Sequence, residues 1–280
     1  MQLKHALCSE IFQKQDLATT CKTIYGFGYR GLEIAPFTLA DSVDDISSQQ
    51  RSQIRNIIEG EGLVCIGLHW LLVTPKGMHL TTRDQTLRNR SWSYLERLID
   101  FCGDLGGSLM ILGSPYQRNT QDDMSSQEAQ DRLSQGLSDL APRAQERNIT
   151  LIMEAVSSQE TDVVSTLAKA VEVVNTVSHP NVQTMFDCHN AADESGDFLS
   201  LVEQYWPRIR HIHVNEIDGR HPSTGELDFK RLLRFLRSQA YQGWVSLEVF
   251  DFQAGAEHIA RESILHLRKI ESILKTDSDH

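Results

Sequence analysis

Residues 151–156 read LIMEAV, and the glutamate inside this run decides how the chain must fold. Leu151, Ile152, Met153, Ala155 and Val156 suit a strand buried on both faces, the kind found in parallel sheets covered by helices. A lone carboxylate in such a strand costs several kcal/mol or takes up a proton. Glu154 therefore needs either a buried Arg or Lys partner, or a place at the strand's end where a metal ion or substrate compensates its charge.

Outward from this run, short apolar stretches alternate with longer amphipathic ones. Eight such stretches occur: HALCSE (5–10), RGLEIAP (30–36), LVCIGLHW (63–70), SLMILGSP (108–115), ITLIMEAV (149–156), VQTMFDCHN (182–190), IRHIHVNE (209–216) and WVSLEVF (244–250). The segments between them carry helical spacing. In 84–104, for example, Leu87, Trp92, Leu95, Leu98, Ile99 and Cys102 recur at three and four residues, and Asp197 stands where a helix should start in DFLSLVEQYW. Eight strands alternating with helices imply a parallel sheet with helices outside. An open, doubly wound sheet is the competing architecture, but no glycine fingerprint follows the first strand, and the even count favours closure into a single (β/α)8 TIM barrel over residues 1–280. The polar loops 71–84 and 113–127 are long enough to cover one mouth of it.

Composition narrows the function. The formal net charge of −11 disfavours a nucleic-acid partner, because phosphate-backbone binding depends on clustered Lys and Arg. No apolar run approaches the roughly 18 residues of a membrane span, and MQLKHALCSEIF lacks the apolar core of a secretory signal, so a soluble protein with no membrane partner is expected. Five cysteines without a CxxC pair fit reduced thiols in a cytoplasm better than a disulfide framework.

Polar residues at the C-terminal strand ends of a parallel barrel converge on one mouth. Four consecutive strands end in this way: Glu154 on the fifth, Asp187 on the sixth, His213 on the seventh and Glu248 on the eighth, spaced by 33, 26 and 35 residues, one β/α unit each. Three carboxylates and an imidazole in a small volume would repel one another unless a cation sat among them. The expected cofactor is one divalent ion, held by Glu154, Asp187, His213 and Glu248. Three oxygen donors and one nitrogen suit Mn2+, Mg2+ or Co2+, and Zn2+ is a further candidate. Taken singly, each of these residues is more often a loop or helix cap than a ligand. Buried pairing with arginine is the alternative for the set, yet the strands hold no Lys or Arg at that depth.

With these residues in place, the chain resembles the xylose-isomerase-like barrels, a family of sugar isomerases, ketose 3-epimerases, inosose dehydratase and apurinic endonucleases. The resemblance runs from GYRGLEI (28–34) through FDCHN (186–190) and HIHVNE (211–216) to SLEVF (246–250). It is closest in look to the ketose 3-epimerases of the D-tagatose/D-psicose type. That implies metal-dependent proton abstraction beside a carbonyl of a small sugar substrate, with Glu154 and Glu248 serving both as metal ligands and as the acid/base pair. It further implies substrate contacts from Glu160, six residues after Glu154, from His189 and from Arg220. Two departures from the epimerase pattern stand out: the histidine follows the aspartate by two residues where those enzymes place it three away, and Arg220 lies one residue late. Related barrels commonly form dimers or tetramers, so a homo-oligomer is implied by analogy.

Other residues carry two readings each. His69 ends the third strand, where it either meets substrate or is a buried, hydrogen-bonded histidine, with Trp70 as an apolar wall. Ser114 either meets a sugar hydroxyl or closes a turn. His211, two residues before His213, belongs one layer deeper as support or core. Arg118 is either a phosphate holder or, more commonly for such a loop, a solvated arginine. Glu33 receives no role, and Cys188 should face away from the mouth. The rival functions are a dehydratase-like lyase on a polyol ketone, an apurinic endonuclease, for which strand four lacks the extra histidine, and a non-catalytic sugar-binding barrel.

Overall fold

The computed structural model describes residues 2–277. Its strands are β1 (Lys4–Cys8), β2 (Gly31–Ile34), β3 (Val64–Leu68), β4 (Leu109–Leu112), β5 (Thr150–Met153), β6 (Val182–Asp187), β7 (Ile209–Val214) and β8 (Trp244–Leu247). The helices that follow them are α1 (Leu17–Phe27), α2 (Ser48–Gly60), α3 (Gln85–Asp104), α4 (Ser126–Glu146), α5 (Leu167–Val177), α6 (Phe198–Tyr205), α7 (Phe229–Ser238) and α8 (Ala256–Thr276). Every strand pairs in parallel with its sequence neighbours, and β1 pairs with β8, which closes the (β/α)8 barrel. Among the described residues no helix is long and apolar enough to cross a membrane.

Local chemistry starts the helices where the sequence predicts. The Asp84 carboxylate accepts from the backbone N–H groups of Thr86 and Leu87 to open α3, and Asp197 accepts from Ser200 to open α6. Each satisfies donors that the first helical turn leaves unpaired.

Strand alternation then divides the side chains. Leu151, Met153, Leu247 and Val249 join the large apolar layer between sheet and helices, as Phe186, Ile212, Val214 and Val245 do in a second cluster. Their neighbours of opposite parity point into the barrel: Ile111, Ile152 and Met185 form a small apolar plug, and on the same parity Glu154, Asp187, His213 and Glu248 follow toward the C-terminal mouth. Cys188 packs with the outer cluster, away from the mouth, as its position between Asp187 and His189 implies.

The seam between β3 and β4 is short, with the register pairs Gly67↔Leu109 and Leu68↔Met110. Gly67 permits it: a Cβ there would lie 2.3 Å from the Leu109 carbonyl oxygen, a backbone atom that cannot turn aside. Gly67→Ala is therefore expected to cost about 1–3 kcal/mol or more of stability. Urea unfolding followed by far-ultraviolet circular dichroism measures this, and an unchanged midpoint would show that the close approach is not needed.

Candidate active site and metal centre

The four expected donors meet. One ligand atom from each of Glu154, Asp187, His213 and Glu248 lies within 4.8 Å of the others, and all four residues are buried. His213 Nδ1 is 2.9 Å from Glu248 Oε2 and 3.7 Å from Asp187 Oδ2. Its other nitrogen, Nε2, is 3.1 Å from Glu33 Oε1. The second oxygen of Glu33 lies 2.9 Å from His211 Nε2 and accepts a 2.7 Å hydrogen bond from Ser246 Oγ. Glu33, to which the sequence assigned no role, thus anchors His213 from below and leaves Nδ1 facing the carboxylates, the arrangement that orients histidine ligands in metal sites. His211 sits one layer deeper, as expected, and acts through Glu33.

The electrostatics of this set suit a cation. Burial and the neighbouring charge of Glu248 push the Glu154 carboxyl up to about 8, and the same two causes push Asp187 up to about 6. Burial also works against Glu248, but the charge and hydrogen bond of His213, aided by His69, outweigh it and hold that carboxyl well below the usual range. Repulsion among carboxylates at this depth is relieved by a divalent ion, so the donors present fit one.

The two glutamates are supported unequally. Trp70 Nε1 donates to Glu248 Oε1 at 2.8 Å, and His69 Nδ1 lies 3.3 Å from the same oxygen. Glu154 accepts one bond, from Asn190 Nδ2 at 3.0 Å, while its other oxygen lies over Gly113, where a Cβ would come within 2.3 Å. Asp187 is fixed by the Asn190 backbone N–H (2.7 Å) and by Asn215 Nδ2 (3.0 Å).

Above the donors opens a cavity of about 420 Å³, lined by both glutamates and by four of the expected contact residues, Trp70, Ser114, Glu160 and His189. Trp70 and Ser114 both take left-handed backbone conformations (φ 49° and 42°) at the ends of β3 and β4, an uncommon geometry for non-glycine residues that concentrates at functional sites. Trp70 stacks between Phe37 and Phe250, at 5.8 and 6.3 Å between ring centres, and Phe250 in turn packs on His189 at 4.7 Å. Across the cavity Glu160 accepts a 2.6 Å hydrogen bond from the Tyr116 hydroxyl. Loop 71–84 contributes Val73 and Lys76 to the lining, and loop 113–127 contributes Gly113 through Gln117, in keeping with their expected place over the mouth.

Three of the singled-out residues lie outside the cavity lining, His69 in line with its buried reading. Arg220 does not line the cavity; its guanidinium is tied to Asp218 at 2.7 Å and its side chain is 45% exposed. His69 is fully buried behind Glu248, outside the cavity lining, with Nε2 at 2.9 Å from Glu10 Oε2. Arg118 is neither solvated nor available to a phosphate: it is fully buried and donates to the backbone carbonyls of Leu112, Glu154 and Val164, staking the ends of β4 and β5. It therefore lies near Glu154 without bonding its carboxylate. The residue three after Asp187 is Asn190, and it is Asn190 that reaches Glu154, while His189 faces the cavity with Nδ1 at 2.6 Å from the Ile217 carbonyl oxygen. Glu10, Glu33, Asn190 and Asn215 were not foreseen. Of these, Glu33 in GLEI carried the same signal as Glu154, a single carboxylate within a buried strand.

Comparison with known proteins agrees with this architecture. The chain is 24% identical over 230 residues to a probable ketose 3-epimerase of Synechocystis sp., covering 81% of this chain and 76% of that protein. It is 25% identical to a D-psicose 3-epimerase of Agrobacterium fabrum, covering 80% and 75% respectively. Among solved structures, a D-psicose 3-epimerase in the presence of D-fructose superposes with a TM-score of 0.82 at 19% identity, over 96% of this chain and 99% of that one. The 3-keto-D-glucoside 4-epimerase of E. coli superposes with a TM-score of 0.83 at 18% identity, over 96% and 100%. A family model described as Xylose isomerase-like TIM barrel matches residues 22–270, and with that match, the closed barrel and the four convergent strand ends, the chain belongs to this family.

Proposed function

We propose that the chain is a divalent-metal-dependent sugar epimerase of the ketose 3-epimerase type. One observation carries the reading: Glu154 and Glu248, from strands on different sides of the mouth, both face a single cavity and both belong to one four-donor set. Glu154, Asp187, His213 and Glu248 would hold the ion, with Mn2+ as the first candidate. When bound, such an ion supplies Lewis-acid stabilisation for the negative charge that develops on two adjacent oxygens of a deprotonated ketose.

The rest of the chemistry falls to the protein. Removing a proton from the carbon beside a carbonyl and returning one to the opposite face needs two positioned carboxyl groups. Glu154 and Glu248 fill these roles, one taking the proton and the other giving one back. Trp70 and His69 hold Glu248 in position, and Asn190 holds Glu154. Glu160, His189 and Ser114 offer polar atoms to sugar hydroxyls, and the indole of Trp70 backs the apolar face of the sugar. The activities of these relatives support the substrate class. The five cysteines are all buried and free, which supports a cytoplasmic setting.

With Mn2+ and a panel of ketoses in heavy water, deuterium should enter at C3 of a product otherwise unchanged in mass. Glu154→Gln and Glu248→Gln are expected to lose about 10²–10⁴-fold in turnover while their circular dichroism stays that of the parent. Full activity in either variant would remove that residue from the mechanism, and a product lighter by one water would move the assignment to a dehydratase.

The donor set also fixes a pH dependence. Glu154 and Asp187 bind protons more tightly folded than unfolded, so their contribution to stability is present below about pH 4 and is lost as pH rises through about 6 and then about 8. Chelator-treated protein should therefore lose melting temperature between pH 5 and pH 8, and added Mn2+ should raise it more at pH 8 than at pH 5, because the donors must shed protons to bind. Differential scanning fluorimetry measures both; a Mn2+ shift independent of pH would contradict the donor assignment.

A further inference from the structure

Six carboxylates in and around the barrel mouth are buried: Glu10, Glu33, Glu216, which accepts from the Leu227 backbone N–H, Glu154, Asp187 and Glu248. Glu33 is compensated by His211, His213 and Ser246, and the last three surround the metal position already described. Glu10 is met by a single imidazole, that of His69. It lies in the tight turn Ser9–Phe12 directly after β1 and is 1% exposed, and neither of its oxygens has a hydrogen-bond donor. His69 Nε2, at 2.9 Å from Glu10 Oε2, is likewise without a hydrogen-bond partner. Among the described residues Arg118 is the one buried Lys or Arg, and its guanidinium is committed to backbone carbonyls. Desolvating a carboxylate to this degree costs several kcal/mol, and the His69 imidazole at 2.9 Å is its one partner of opposite charge among the described residues.

A third side chain closes the group. The sulfur of Cys8, the last residue of β1, lies with a Glu10 oxygen and a His69 ring nitrogen in a set whose atoms are all within 4.8 Å of one another, and all three residues are buried. We propose that Cys8, Glu10 and His69 form a second cation site beside the four-donor set, sharing no ligand with it although the Cys8 sulfur also lies within 4.8 Å of a His213 nitrogen, for a borderline divalent ion of the zinc type. A thiolate, an imidazole and a carboxylate together select Zn2+ or Co2+ over Mn2+ and Mg2+. His69 suits the role because Glu248 engages its Nδ1, which leaves the Nε2 lone pair for the ion. Binding forms the sulfur–metal bond at the expense of the Cys8 S–H proton, which passes to solvent, with no change in oxidation state. The three residues are closed off from the cavity, the character of a structural site rather than one that exchanges substrate. Its occupancy would lock His69 and, through it, one face of Glu248. The inference stands whether or not the sugar chemistry proposed above is right.

The test is a Co2+ titration of the chelator-stripped full chain, followed by absorbance, with metal content measured by mass spectrometry after dialysis against Zn2+. Two equivalents per chain are expected, one of them accompanied by near-ultraviolet thiolate-to-cobalt charge transfer. Cys8→Ser should lose the band and that equivalent, and Glu10→Gln should weaken it roughly tenfold or more. Glu154→Gln and Asp187→Asn should keep the band. A single equivalent without the band in the parent protein would overturn the proposal and assign Glu10 to a protonated His69; so would a band that survives Cys8→Ser. Should Cys8→Ser not fold, the parent spectrum and Glu10→Gln still decide. If the band is intact but Glu154→Gln and Asp187→Asn still bind two equivalents, the second site holds and the four-donor assignment fails.

Discussion

The structure is organised around mutual repulsion among carboxylates that the fold refuses to leave in water. Alternation along parallel strands commits every second residue to the barrel interior, and near the mouth those residues are acidic on β2, β5, β6 and β8. Nothing in a hydrophobic core offsets such charges, and a surface ion pair is too weak to do so. The molecule answers with imidazoles on β7 and at the end of β3, with amide side chains on the loops, and with a donor set that could hold a cation. Glu33 shows the complete solution, with both oxygens engaged. Glu154 shows the incomplete one, with a proton retained to near neutral pH when no ion is present.

This arrangement would let the proposed metal position and the proposed proton-transfer groups coincide. A carboxylate that is buried, partly unsatisfied and open to a cavity is suited to gripping an ion and to handling a proton, and the barrel supplies two of them from strands on different sides. The surrounding loops tune them differently. The turn after β3 brings an indole and an imidazole to Glu248, whereas the turn after β6 brings one amide to Glu154 and β4 ends in a glycine beside it. Difference in support, rather than in residue type, separates the two glutamates.

Much of this was legible in the sequence, and the reasons are specific. The strands announced themselves because apolar runs buried on both faces are hard to mistake, and the four donors stood out because period-two alternation and one-unit spacing leave little freedom in where Glu154, Asp187, His213 and Glu248 point. Loops obey no such period. Arg118 sits in the polar run YQRNTQDD yet is drawn under the β4–β5 corner, and Arg220 is turned outward by a left-handed Gly219 and the grip of Asp218. Which of His189 and Asn190 meets Glu154 is settled by the turn after β6. Glu10 belongs to a four-residue turn too short to show a pattern. Glu33, by contrast, was readable by the logic applied to Glu154; what sequence could not supply was the identity of the imidazoles above and beside it.

Trp70 carries a consequence for how such a barrel can diverge. Its ring is at once a wall of the pocket, a layer in the aromatic stack with Phe37 and Phe250, and the hydrogen-bond donor to Glu248. Reshaping that wall for a bulkier or more polar guest would slacken the hold on Glu248 in the same stroke. Selection for a new guest is therefore channelled toward lining residues such as Ser114, Tyr116 and Lys76, where change leaves the Trp70–Glu248 bond alone.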